Sequence, residues 1–422
     1  MSWKYLKQRV FFALCVPIML TGVIAFVYLP AAYATPGQPK AVRTVIRPFI
    51  DTWDNIHVYQ PFDFNIANPV TIAAQYDFVW GASTYNVAAW RQGNPNIFLT
   101  YYIPFDRDYG TFNDNTAIHT LGWWQANHPD WVLYKCDKKT PAYFGNGNSV
   151  PLDFSNSAVI SWQVQTYAVP ASTSGYDGIA ADNADLGNWS QACGVYRNGS
   201  WVQLYNGQKE DDAAWQNNVI YWLSQMQKAL HGFSHPLALI PNTSFADVPV
   251  TSALVQKMAG HVDAFLEENG FTLAGAGYLT DSAWVQHIAF ITSLQAQGKA
   301  YFSENQYPAI GQSEIQWALA SYLMCKNHAA ALTINLNQQY GSTNLYPEYS
   351  AKIGNPSGAM YQDQQVYWRG YSNGLVIVNP SSTQAYTVTL PSGVKYVDLY
   401  GNVVGPTISM PIHSGIVLLI AS

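Results

Sequence analysis

The sequence predicts an α/β fold: a (β/α)8 TIM barrel followed by a small C-terminal all-β domain. Three observations predict it. Short apolar runs of strand length alternate with amphipathic helical patterns through most of the chain, the pattern of a parallel sheet. About eight such units over about 300 residues suit a closed barrel. Near Gln362 the alternation stops, and from Gln365 to Ser422 only strands and turns remain.

Taken in order, the chain begins with Lys4, Lys7 and Arg9 ahead of an uncharged run from Val10 to Leu29. Ala32-Tyr33-Ala34 then gives a small-residue cleavage pattern before Thr35-Pro36. Residues 1–34 read as an export signal, which places the mature protein outside the cytoplasm, secreted or periplasmic. The apolar run is also long enough to span a bilayer, so an uncleaved anchor is the competing reading. No later stretch resembles a membrane span, and no membrane contact is expected after cleavage.

Residues 35–362 carry the alternation. Strand candidates are Tyr76–Gly81, Asn96–Tyr102, Trp131–Tyr134 or Val150–Phe154, Tyr176–Asp182, Leu237–Asn242, Val262–Glu268, Ala300–Asn305 and Ala330–Asn335. The clearest helix has Trp215, Val219, Trp222, Leu223, Met226 and Leu230 on one stripe. Asp211 and Asp212 open it and Gly232 closes it. Others run from Ser282 to Gly298 and from about Ser313 through Leu323. An open doubly wound sheet is the alternative. Its dinucleotide-binding form needs a Gly-rich phosphate loop after the first strand, where this chain has Trp80-Gly81-Ala82-Ser83-Thr84.

Residues 363–422 read as a β-sandwich-like unit, with strands near Gly374–Asn379, Ala385–Leu390, Tyr396–Leu399 and Gly415–Leu419. This segment holds Gly370-Tyr371-Ser372-Asn373-Gly374, a match to G-x-S-x-G. A nucleophile elbow needs a strand–turn–helix setting, whereas Asn-Gly between two strands is a hairpin turn.

One stretch organises the rest. Tyr176-Asp177-Gly178-Ile179-Ala180-Ala181-Asp182-Asn183 is a short strand ending in a carboxylate, and Val262-Asp263-Ala264-Phe265-Leu266-Glu267-Glu268-Asn269 aligns with it without a gap. The period of two puts Gly178, Ala180 and Asp182 on one side. Ala264, Leu266 and Glu268 form the equivalent side, while Phe265 and Glu267 face the helices. Barrel sites lie at the C-terminal strand ends. Reading those ends gives Trp80, Asp106, Asp153, Asp182, Asn242, Glu268, Glu304 and Asn335, a rim of acids and amides poor in Lys and Arg.

Two carboxylates flanking a bond are the machinery of glycoside cleavage. Asp182 and Glu268 form the predicted catalytic pair, Asp182 as the short, rigid nucleophile and Glu268 as the longer proton donor. Glu267 is the competing acid. Asp106, Asp153 and Glu304, with Asn242 and Asn335, are candidates for bonds to sugar hydroxyls. Asp153 is equally suited to capping the helix that follows. Trp80, with Tyr102, Trp123 and Trp124, could stack on sugar faces, although most of the 15 Trp residues belong to the core.

Composition narrows the partners. Removing residues 1–34 takes away Lys4, Lys7 and Arg9 and no acid, which moves the formal net charge from −6 to −9. That excludes nucleic acid, whose phosphates need clustered Lys and Arg. Charged residues make up 11% of the chain and aromatic ones 15%, a surface suited to neutral, hydroxyl-rich ligands. Cys15 leaves with the signal, and Cys136 and Cys193 sit in loops where an exported chain could join them. All three remaining thiols being free is the alternative, since spacing does not fix connectivity. Scattered His residues and no H-E-x-x-H predict no metal and no cofactor. A monomer is expected.

Three segments carry a family resemblance: Tyr176–Asn183, Pro151-Leu152-Asp153-Phe154-Ser155-Asn156, and Asn373–Pro380. Together they resemble the hypothetical glycoside hydrolase families, exported bacterial barrels related in outline to α-galactosidase-like and dextranase-like glycosidases. The resemblance implies a barrel with a C-terminal β-domain, an Asp nucleophile ending strand four, at Asp182, and an acid/base ending strand six, at Glu268 or Glu267. It also favours a retaining mechanism. The resulting expectation is an exported hydrolase of O-glycosidic bonds in a poly- or oligosaccharide. A non-catalytic carbohydrate-binding barrel used in polysaccharide assembly or attachment is the alternative.

Overall fold

The computed structural model describes residues 56–421, apart from 111–116, 146–148, 247, 274–276 and 328. The expected export signal and cleavage site lie outside these residues. Eight parallel strands form the core: β1 (Tyr59–Pro61), β2 (Phe78–Trp80), β3 (Phe98–Pro104), β4 (Gly178–Asp182), β5 (Ala238–Pro241), β6 (Ala264–Glu267), β7 (Ala300–Tyr307) and β8 (Ala330–Leu336). Strands β1 to β5 pair in sequence, as do β6 to β8. Parallel bridges Asn242–Leu266 and Val58–Leu332 close the two seams, so the sheet is a barrel.

One strand differs from the sequence reading. The first barrel strand is Tyr59–Pro61, and neither Trp131–Tyr134 nor Val150–Phe154 joins the barrel. Val150–Pro151 instead pairs antiparallel with Arg107–Asp108 in a long excursion between β3 and β4. The cause is local: β1 has three residues and ends in Pro, too short to show periodicity. The count still leaves Gly178–Asp182 as strand four, because one strand was lost and one gained upstream of it.

The barrel interior is filled by side chains of one parity, including Phe78, Phe98, Ala180, Ala238, Ile240, Ala264, Leu266, Phe302 and Ala331. Gly178 lies between neighbouring strands, where an added Cβ would come within 2.9 Å of the Ala238 carbonyl oxygen. Small residues on β4 and β6 thus offset the rings of β1, β2, β3 and β7. The other parity packs outward against the helices. Helix Ala213–His231 is capped by the Asp212 carboxylate, which accepts from Trp215 N, and buries the predicted stripe.

At the N-terminal face three acids repeat one arrangement. Asp77, Asp177 and Asp263 each precede an even-numbered strand. Each accepts an N–H from the strand before it: Val58 at 3.3 Å, Leu99 at 2.9 Å and Leu239 at 2.8 Å. Each also meets a basic side chain, His57, Arg91 or His231.

The C-terminal segment forms a six-stranded sheet from Tyr361 to Ile420 and a two-stranded ladder, Tyr386–Thr389 with Thr407–Met410. Trp368, Ile377, Val388, Met410 and Leu418 make a small core between them. The opposite sheet face packs on helix Gln312–Cys325, and sheet and barrel form one compact body. Ser372 and Asn373 are the turn of the hairpin that pairs Tyr371 with Gly374.

Candidate functional site

The C-terminal mouth gathers side chains that end β3 to β8. Asp182 is the last residue of β4 and Glu268 follows the last residue of β6. Both are half-buried and take the inward parity. Between them, just past the end of β5, Asn242 is buried, and its amide Nδ2 donates to Asp182 Oδ1 and to Glu268 Oε1 at 2.9 Å each. The two hydrogens of a planar amide diverge, which sets oxygens at 2.9 Å about 5 Å apart.

Each acid has a further phenol donor. Tyr102 Oη donates to Asp182 Oδ2 at 2.6 Å, and Tyr340 Oη to Glu268 Oε2 at 3.2 Å. The Phe62 ring lies between these phenols, with centroids 5.4 Å from Tyr102 and 5.7 Å from Tyr340. Asp182, Tyr102, Phe62, Tyr340, Glu268 and Asn242 thus form a closed circuit around the mouth. Its β4–β6 side is polar and its β1–β3 side aromatic. Burial, and then the Asp182 charge, push the Glu268 carboxyl up to about 7, against the amide of Asn242 and the hydroxyl of Tyr340.

Glu304 is inward on β7 and buried. It accepts from Asn335 Nδ2 at 2.8 Å and Gln306 Nε2 at 3.4 Å. Burial, followed by the Glu268 charge, holds its carboxyl well above the usual range. Gln306 Nε2 also reaches Tyr340 Oη at 3.2 Å, which links Glu304 to the circuit, and Asn335 accepts from Asn344. Asp106 is buried and ion-paired with Arg107 at 2.6 Å, and Arg107 also donates to Asn183 Oδ1 at 2.5 Å. Asn183 follows Asp182 with φ of 55°, a left-handed conformation that Asn tolerates. Arg107 therefore fixes the turn that carries Asp182. Burial raises the Asp106 carboxyl despite its cation.

Three predicted residues take other roles. Glu267 points outward from β6, where Tyr301 Oη donates to it at 2.6 Å and His287 Nε2 lies at 2.9 Å. Asp153 is fully buried in the excursion, where it holds Ser155 N at 3.1 Å and Ser155 Oγ at 2.5 Å and meets Arg197 at 3.4 Å. Asn156, not Asp153, caps the following helix. Trp80 is buried beneath Phe62 and Tyr102, at 5.2 and 5.6 Å between centroids. Trp124 is core of the excursion, and Trp123 stacks on His119.

Sequence reasoning missed Phe62, Phe64, Arg107, Gln306 and Tyr340. Phe62 follows the strand that periodicity could not reveal. Tyr340 sits in an aperiodic loop after β8. Inward parity from Glu304 does reach Gln306. Among the described residues no cluster of three His, Cys, Asp or Glu side chains is placed to hold a metal ion.

No curated protein matches the sequence. Among solved structures, the chain is similar to a noncanonic maltogenic alpha-amylase, AmyB, from Thermotoga neapolitana. That match has 12% identity over 87% of this chain and 99% of that one, with a TM-score of 0.48. It is also similar to a variant of the GH36 alpha-galactosidase AgaA from Geobacillus stearothermophilus. There the identity is 11% over 88% of this chain and 56% of that one, with a TM-score of 0.41. The sequence model of hypothetical glycosyl hydrolase family 15 matches residues 91–375, more than half of the chain and every strand from β3 to β8. The chain belongs to hypothetical glycosyl hydrolase family 15.

Proposed function

We propose that the protein is an exported, retaining glycoside hydrolase that cleaves an O-glycosidic bond in a poly- or oligosaccharide. Asp182 is its nucleophile and Glu268 its acid/base. The observation that carries this reading is the Asn242 amide, which bonds both carboxylates at 2.9 Å. The bridged oxygens lie about 5 Å apart, a spacing that favours the retaining arrangement with its covalent intermediate.

In the first step Asp182 attacks the anomeric carbon while Glu268 gives its proton to the departing glycosidic oxygen. The C–O bond breaks and a glycosyl–Asp182 ester forms. In the second step Glu268 takes a proton from water, the resulting oxygen attacks the same carbon, and Asp182 leaves as carboxylate. Two inversions at one carbon give net retention. Tyr102 and Asn242 each hold one oxygen of Asp182, which fixes its direction of attack.

Export is supported by residues 1–34 and by a Cys136–Cys193 disulfide with Cα atoms 5.0 Å apart, a bond typical of oxidising compartments. Digestion of a panel of neutral polysaccharides tests the reading. Wild type should release reducing ends from at least one, and Asp182→Asn should lose about 10⁴-fold or more of that rate while keeping its fold. If saccharides bind and none is cut, the non-catalytic binding barrel takes its place.

A further inference from the structure

The aromatic half of the mouth continues outward. Phe62 carries φ of 54°, a left-handed conformation that is costly for a bulky residue and persists only where its surroundings impose it. Two glycines provide those surroundings. A Cβ on Gly81 would lie 2.9 Å from the Phe62 ring, and one on Gly341 would lie 2.7 Å from the ring of Phe64. Both glycines have positive φ, 76° and 74°. The backbone after β2 and after β8 is thus cut away where each phenyl ring rests. Phe64 lies 5.9 Å from Phe62 between centroids and is 49% exposed. The two rings make a continuous step from inside the circuit to the lip.

We propose that Phe62 and Phe64 form a stacking track, and that Phe64 holds the sugar unit next to the one bound at Asp182 and Glu268. The occupant is a neutral saccharide of two or more units. A pyranose presents patches of C–H groups that suit a phenyl face, and the step between the rings is comparable to one sugar unit. Asp182, which must be ionised to attack, stands on the opposite half of the mouth between Tyr102 and Asn242, so a uronate would meet like charge. Substrate choice then rests on chain length and neutrality, with Phe64 as the residue that reads length. This inference rests on the glycosidase reading of the same site.

The test separates the two. Asp182→Asn protein, with and without Phe64→Ala, is titrated by calorimetry with neutral and uronate oligosaccharides of one to six units. The expected result is that affinity rises from one unit to two or more, and that Phe64→Ala removes about three- to tenfold of this gain. Equal loss at every length, no loss, preference for uronates, or no saccharide binding would overturn the track. If the length-dependent loss appears while wild type cuts none of the ligands, the hydrolase reading fails and the track stands.

Discussion

Glu267 and Glu268 are neighbours in sequence and opposites in role, because a strand turns successive side chains to opposite faces. Glu268 looks into the mouth beside Asp182, and Glu267 is sealed between barrel and helices with Tyr301 and His287. Parity alone separates them in the sequence. Their environments predict different phenotypes. In the proposed mechanism Glu268 works only while protonated, and its protonated fraction falls as pH rises through about 7. We expect kcat/KM to drop about tenfold per pH unit above that point. Glu268→Gln should erase this alkaline limb and slow substrates with poor leaving groups by about 10²–10⁴-fold, with activated aryl glycosides affected far less. An unchanged limb in the variant would assign the titration elsewhere. Glu267→Gln should instead cost about 1–3 kcal/mol of stability, read by denaturant melts, because it disturbs a buried bonded carboxylate.

At the level of elements, the aligned octets 176–183 and 262–269 mark both ends of their strands. Asp182 and Glu268 stand at the mouth. Asp177 and Asp263 tie β4 and β6 to β3 and β5 at the opposite face. The alternation of apolar runs and helices made seven of the eight barrel strands legible; the short β1 was not, and the excursion after β3 was mistaken for a strand. A three-residue strand ending in Pro shows no period. The excursion owes its order to long-range contacts, the Cys136–Cys193 bond among them. Much of the site's aromatic half hangs on elements of that kind, which is why Phe62 and Tyr340 escaped notice while both acids did not. Asp177 accepts from Leu99 N and pairs with Arg91 at 2.5 Å. Asp177→Asn should lower stability by about 1–3 kcal/mol with little change in KM, measured by thermal melts and kinetics side by side. A large KM change at unaltered stability would contradict a purely structural role.

Across the whole molecule, a buried cation reinforces the packing of the C-terminal sheet on the barrel. Arg369 is buried, and its guanidinium donates to the carbonyls of Leu323, Met324 and Lys326 at the end of helix Gln312–Cys325. A cation at a helix C-terminus satisfies carbonyls that have no partner within the helix. Arg369→Met should cost about 3 kcal/mol or more, because those buried carbonyls lose charged donors, and a change within about 0.5 kcal/mol would show the contact to be dispensable. The composition change near Gln362 made the sheet itself visible in the sequence, but no local pattern announces an arginine that acts on a helix more than 40 residues earlier. In the proposed mechanism the architecture holds Asp182 and Glu268, bridged by Asn242, over a packed barrel. The most direct test of that claim is mass-spectrometric trapping of the intermediate with a panel of 2-deoxy-2-fluoro glycosides that carry activated leaving groups. The account predicts one glycosyl unit bound to the peptide containing Asp182, at Asp182 itself. A stable adduct on Glu268 or any other acid, or turnover of these saccharides that yields product of inverted configuration, would contradict it.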